Sequence, residues 1–183
     1  DRALRKMREE VTKCELYSAP PRIFDPLGFL QPFMFHAKLL FQECCKAKIK
    51  WKAKLPTELR VKFVKWKSQI PKLKQIQIPR QVLLQGYDNV ELHGFADASQ
   101  LGYCACIYIV SSKGIQKASR LIVSKTRAAP LKEMSIPRLE LTTAFLLVRL
   151  MALVIKFHDL IKFDKNFYYS DSTTTLHWIM LDH

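Results

Sequence analysis

Residues 90–110 read VELHGFADASQLGYCACIYIV, and their pattern decides the fold. Two runs of strand-forming residues flank a short turn region, Ala98-Ser99-Gln100-Leu101-Gly102. In the first run Leu92, Gly94 and Ala96 alternate with His93, Phe95 and Asp97. In the second, Tyr103, Ala105, Ile107 and Ile109 alternate with Cys104, Cys106, Tyr108 and Val110. A period of two with Gly near the turn predicts an antiparallel hairpin. Asp97 is out of character, because a carboxylate ending an apolar strand is costly to bury unless something binds it. Downstream, Glu140 and Asp171 also sit at the edges of apolar elements. Three carboxylates drawn to one point need cations, so the pattern points to a metal site.

The elements after the hairpin follow from the same reasoning. Lys117–Ser124 offers a third strand, and Arg127–Ser135 reads as a polar loop. SIPRLE opens a long helix with Pro137 in its first turn, a position that tolerates proline. One stripe of that helix carries Leu139, Thr143, Leu146, Leu150, Leu153 and Phe157. A second carries Leu141, Phe145, Val148, Ala152 and Ile155, which predicts packing on more than one side. Glu140 is expected in the first turn, where the helix dipole favours the ionised carboxylate. Asn166–Tyr169 is a fourth strand running into Asp171, and Ser172 or Asp171 is placed to cap a final helix, TTTLHWIM. The order β-β-β-α-β-α implies a mixed sheet covered by helices.

Upstream the chain is helical and basic. Residues 1–80 hold 19 Lys and Arg against 7 Asp and Glu, whereas residues 81–183 hold 11 against 9. A polyanionic partner is the natural inference, nucleic acid ahead of a membrane surface, set against an ordinary solvated Lys-rich face. Leu4, Met7, Val11 and Cys14 predict a helix over residues 1–18, broken by Pro20-Pro21. Pro26 and Gly28 in RIFDPLGFLQP mark an apolar turn expected to pack against something. A helix from Phe33 follows, with Ala37, Leu40, Phe41 and Cys44 on one face. Residues 46–54 read KAKIKWKAK, which suits either a strand or a helix ending near Lys50. Lys46, Lys48, Lys50, Lys52 and Lys54 around Trp51, with Lys62 and Lys65 beyond, are candidate nucleic-acid contacts through phosphate attraction and base stacking. The stripe Leu59, Phe63, Trp66 and Ile70 reads as core. A domain boundary is expected near Pro79, dividing a helical region, 1–80, from a sheet domain, 81–183.

Five cysteines, Cys14, Cys44, Cys45, Cys104 and Cys106, include no CxxC pair, which argues against a disulfide framework or a zinc site and fits a reducing compartment. Cys104 and Cys106 are expected as small core residues. The charged N-terminus shows no signal peptide. The longest apolar run, 139–157, carries Glu140, Arg149 and Lys156, and so reads as a buried helix and not a membrane span. The absence of an initial Met and the ending LDH suggest a piece of a longer chain.

The element order and acid placement resemble the ribonuclease H fold. FDPLGFLQP, Ile78-Pro79-Arg80, LHGFADAS, SIPRLEL and YYSDSTTTLHWI, in that order, resemble the polyprotein of Pao/BEL-type LTR retrotransposons. The resemblance spans nearly the whole chain. It implies that residues 1–80 end a reverse transcriptase and connection region, and that residues 81–183 form most of a C-terminally truncated ribonuclease H domain. It implies that Asp97, Glu140 and Asp171 are catalytic acids holding two Mg²⁺ (or Mn²⁺) ions that cut the RNA strand of RNA/DNA hybrids during reverse transcription. The partners implied are the hybrid and the rest of the polyprotein, with no membrane. The compartment implied is a cytoplasmic retroelement particle, or the nucleus. A fourth acid usual in such enzymes has no match, and His177, Asp182 and His183 are not equated with the missing groups. No YxDD pair appears, so polymerase chemistry lies elsewhere.

Two alternatives stand beside this reading. One is a catalytically inactive nucleic-acid-binding or assembly module, for which the basic segment suffices. The other is an aspartic peptidase, because sequences resembling this region are also labelled a Pao retrotransposon peptidase family. Asp97-Ala98-Ser99 and Asp171-Ser172-Thr173 lack the Gly that D-[ST]-G needs for its close turn.

Overall fold

The computed structural model describes residues 10–156 and 160–181. The chain divides into two compact units: residues up to Pro26 with Pro32–Ile78, and Leu27–Gln31 with the chain from Pro79 onward.

The first unit is helical. Its elements are α1 (Lys13–Ser18), α2 (Gln31–Lys46) and α3 (Thr57–Gln69), with 3-10 turns at Pro20–Arg22 and Ile70–Gln75. The expected helix over residues 1–18 is shorter: Leu4 and Met7 lie outside the described residues, and Val11 precedes α1. Thr12 caps α1 in a capping box with Glu15, which fixes the start. The backbone before it is used elsewhere, since Leu55 N–H donates to Val11 O at 2.8 Å. Leu16, Ala37, Leu40, Cys44, Leu59, Phe63 and Trp66 form the buried interior. Trp66 is core, as expected, and its Nε1–H donates to Phe33 O at 3.0 Å.

The second unit is a four-stranded sheet in the order β3-β2-β1-β4. The strands are β1 (Asn89–Ala98), β2 (Gly102–Lys113), β3 (Gln116–Ala128) and β4 (Lys165–Ser170). The predicted hairpin is present, with Ser99 N–H donating to Gly102 O at 2.8 Å across the turn. β3 runs through Arg127 and Ala128, which the polar composition had assigned to a loop, because both still pair with β2. β4 lies parallel to β1. A parallel return needs a crossover, which α4 (Ile136–Ile155) provides, and α5 (Thr173–Met180) follows β4.

Alternation places Val90, Leu92 and Ala96 with Ala105, Ile107 and Ile109 against Leu147, Leu150 and Met151 of α4. Gly94 is bare for a reason of space. A Cβ there would lie 2.6 Å from Leu147 Cδ1 and 2.8 Å from Met151 Cε. The opposite face carries a row of rings: His93 stacks on Phe167 and Tyr169, and Phe95 on Tyr169. Cys104 and Cys106 are half-buried on that same face and do not join the α4 core, because the pleat gives the α4 side to Ala105 and Ile107.

The α4 expectation holds on one side only. Leu139, Thr143, Leu147, Leu150 and Met151 are buried. Leu141, Phe145 and Val148 of the second stripe are exposed, as is Leu153, and Phe157 lies outside the described residues. No helix among the described residues is long and apolar enough to cross a membrane.

The register of β1 against β4 is set at their starts. Asp164 N–H donates to Val90 O, and Val90 N–H donates to Asp164 Oδ2, both at 2.8 Å. At the opposite edge Leu27–Gln31 straps β3. Ser124 N–H donates to Leu27 O at 2.8 Å, Ser124 Oγ–H donates to Gly28 O, and Thr126 Oγ1–H donates to Gln31 Oε1 at 2.7 Å. The turn expected at Pro26-Gly28 therefore packs, although Phe24 is 90% exposed. Gly28 has φ +80°, and a Cβ there would lie 2.0 Å from Ser124 O. Gly28→Ala meets both a left-handed backbone and a carbonyl oxygen. We expect it to lower stability by about 2 kcal/mol or more, read from urea unfolding.

Candidate functional site

The three acids come from three elements that the fold brings to one end of the sheet. Ala96 of β1 pairs with Ser170, the last residue of β4, while β1 continues to Ala98. Asp97 and Asp171 each follow one residue later, so they lie at the same level, just past the last β1–β4 pair. Adjacent strands are about 4.8 Å apart, which makes these carboxylates neighbours by topology. Asp97 also pairs with Cys104 of β2. Both aspartates are exposed.

Glu140 reaches the same end from α4. The helix begins at Ile136, so Glu140 lies in its second turn and not its first, and the dipole argument loses force there. A hydrogen bond fixes it in place: Ser172 Oγ–H donates to Glu140 Oε2. Ser172 is the residue that caps α5, accepting from Thr175 N–H at 3.1 Å. Asp171 is thereby left free of the capping role that the sequence had offered to either residue. Among the described residues, no three His, Cys, Asp or Glu side chains are grouped so as to hold one ion. The β1–β4 register and the Ser172–Glu140 bond bring the three elements to one end of the sheet, and the side chains do not form the group that the sequence suggested. As a donor set, hard carboxylate oxygens suit Mg²⁺, which keeps several waters and needs only one or two protein carboxylates. His177 is exposed on α5, while Asp182 and His183 lie outside the described residues.

The basic segment is neither the strand nor the longer helix that its sequence suggested. α2 ends at Lys46, and Lys48 adopts φ 52°. Ile49 N–H donates to Cys44 O and Lys48 N–H to Cys45 O, a Schellman ending with Lys where Gly is usual. The loop beyond is pinned by residues before and within α1. Lys13 N–H donates to Ala53 O, Cys14 N–H to Trp51 O, and Lys13 Nζ to Ile49 O at 3.0 Å. Lys13 is buried over the Phe41 ring, a role that its place in a helical pattern did not signal.

Lys46, Lys48, Lys50, Lys52 and Lys54 are all exposed. Trp51 packs on Tyr17 and Phe41 yet stays 46% exposed, which leaves part of its ring open to a base. Lys54 is engaged with Glu10, and Lys62 with Glu43 at 3.1 Å and Glu58 at 3.4 Å. The bond to Glu43 is the main cause holding the Lys62 ammonium above its ordinary pKa. Lys65 is exposed on α3.

Two expectations follow from this geometry. Lys48→Gly relieves a left-handed backbone and should stabilise the chain by roughly 0.5–1 kcal/mol in urea unfolding. Burial raises the pKa of the Cys104 and Cys106 thiols; the Asp97 charge adds to the first, and Cys104 to the second. The folded chain keeps these protons at a pH where the unfolded chain releases them. Stability is therefore intact below the ordinary thiol pKa and declines as pH rises through it toward the folded value. Melting curves in mildly alkaline buffers should show this decline, flattened in Cys104→Ala.

The comparisons with known proteins agree with the architecture. No curated protein matches the chain. The family described as the Pao retrotransposon-like RNaseH-like domain matches residues 12–172, a span holding all three acids and the basic loop. A four-stranded mixed sheet with a helical crossover is a ribonuclease H-like arrangement and not an all-β peptidase barrel. The chain belongs to the Pao retrotransposon-like RNaseH-like domain family.

Proposed function

We propose that this chain, within its polyprotein, takes part in hydrolysing the RNA strand of RNA/DNA hybrids during reverse transcription of a retroelement, using Asp97, Glu140 and Asp171 with two Mg²⁺ or Mn²⁺ ions. The observation that carries this reading is the register of β1 and β4, whose last pair, Ala96 with Ser170, is followed on each side by an aspartate at one level. Such ions, when bound, supply an activated water and charge stabilisation for the leaving oxygen. The chain's own part is to present oxygen donors from rigid strand ends and to hold Glu140 through Ser172. In this reading the exposed Lys46–Lys54 loop binds backbone phosphates without reading bases, and Trp51 adds a stacking surface. The remaining polyprotein is the natural partner, in a cytoplasmic particle or the nucleus.

The test is cleavage of a labelled RNA/DNA hybrid with Mg²⁺ or Mn²⁺. Asp97→Asn should cut at least on the order of a hundredfold more slowly while melting as the wild type does. Binding should weaken with salt, and replacing Lys48, Lys50 and Lys52 by Ala should lower the log–log salt slope by about 2 to 3. A folded wild-type polyprotein containing this chain that binds the hybrid and never cuts it would overturn the nuclease reading and leave the binding module.

A further inference from the structure

We infer that Ser172 is a positioning residue that sets the place of the Glu140 carboxylate and locks α4 to the end of β4. This rests on Glu140 being a metal ligand. Ser172 Oγ is within hydrogen-bond distance of three groups: Glu140 Oε2, Thr175 N at 3.1 Å and Thr175 Oγ1 at 2.9 Å. A hydroxyl has one proton and two lone pairs. The carboxylate is acceptor-only, so the Ser172 proton goes to Glu140. Ser172 Oγ then accepts from both the N–H and the hydroxyl of Thr175. Every hydrogen-bonding position of the serine is used, which leaves its hydroxyl a single orientation.

The surroundings keep that orientation. Ser172 is 6% exposed and Thr175 is fully buried. Ser172 N–H also donates to Ser170 Oγ at 3.3 Å, which ties the turn between β4 and α5 to the strand end that carries Asp171. One side chain thus joins three pieces: the strand that delivers Asp171, the start of α5, and the α4 residue Glu140. Glu140 comes from the crossover helix and shares no strand pairing with the two aspartates. The serine hydroxyl ties it to the turn that carries Asp171.

A simple capping role and a positioning role make different predictions. Glycine is tolerated at an N-cap nearly as well as serine, whereas alanine is not. Neither can reach Glu140, while threonine keeps both functions. The probe is Mn²⁺ alone, titrated into the chain and followed by the paramagnetic resonance of the free ion, with melting recorded beside it.

Ser172→Ala and Ser172→Gly should both weaken Mn²⁺ binding by roughly tenfold, the scale on which groups orienting a metal ligand act. Ser172→Ala should melt lower than Ser172→Gly, and Ser172→Thr should bind nearly as the wild type does. Glu140→Gln is the control for the underlying reading. If it leaves Mn²⁺ binding unchanged, or if the folded wild type takes up no Mn²⁺, the assignment of Glu140 as a ligand fails, and the role of Ser172 fails with it. If Glu140→Gln weakens binding but Ser172→Ala and Ser172→Gly do not, the positioning role alone is overturned. A loss that follows melting temperature across the variants, sparing Ser172→Gly, also overturns it.

Discussion

The clamp between Asp164 and Val90 is the constraint on which the site depends. Parallel strands have no hairpin to fix their register, so a slip of one residue would exchange faces along the whole strand. Asp164 removes that freedom by closing two hydrogen bonds on one residue of β1. From there the pairing counts upward, Glu91 with Lys165 through Ala96 with Ser170, and the residue after each member of that last pair is an aspartate. The carboxylates are level at the top because the strands are locked at the bottom. α4 can lie across β1 because Gly94 has no side chain there, and its position in turn carries Glu140 to the same end.

Much of this was legible in the sequence, and the parts that were not share a cause. The hairpin, the order of elements and the three acids follow from alternation and from charged residues where apolar ones are expected. The hairpin needs only near neighbours, and the same local patterns gave Trp66 as core. The second apolar stripe of α4 misled because periodicity tells which residues share a face and not whether a partner covers it. Cys104 and Cys106 misled in the same way, since composition favours burial but the pleat decides which side is deep. The alternation of lysines in residues 46–54 suited either a strand or a helix ending near Lys50, yet the segment is a loop held by backbone bonds from Lys13 and Cys14, and no local pattern encodes that.

The candidate site was half legible in the sequence. Asp97, Glu140 and Asp171 could be named from their places at element ends, together with the family resemblance. That Ser172 binds Glu140 could not, because the two residues are 32 apart in the chain and meet only once α4 has crossed over. The one local clue was Ser172 as a possible cap, and the same hydroxyl both caps α5 and donates to Glu140.

The strap formed by Leu27–Gln31 has a consequence for how the protein is made. These residues leave the ribosome well before β3 exists, and they lie in sequence among helices of the other unit. Their backbone carbonyls and the Gln31 side chain cannot find Ser124 and Thr126 until the hairpin and its third strand have been synthesised. Contacts of such long sequence separation form late and slow a fold down. The strap also covers part of an edge strand that would otherwise offer unpaired backbone to another chain. During synthesis, then, there is a window in which β3 is complete and its edge is still open. Gly28, whose missing side chain lets the strap close on Ser124 O, bears on that window as well as on final stability.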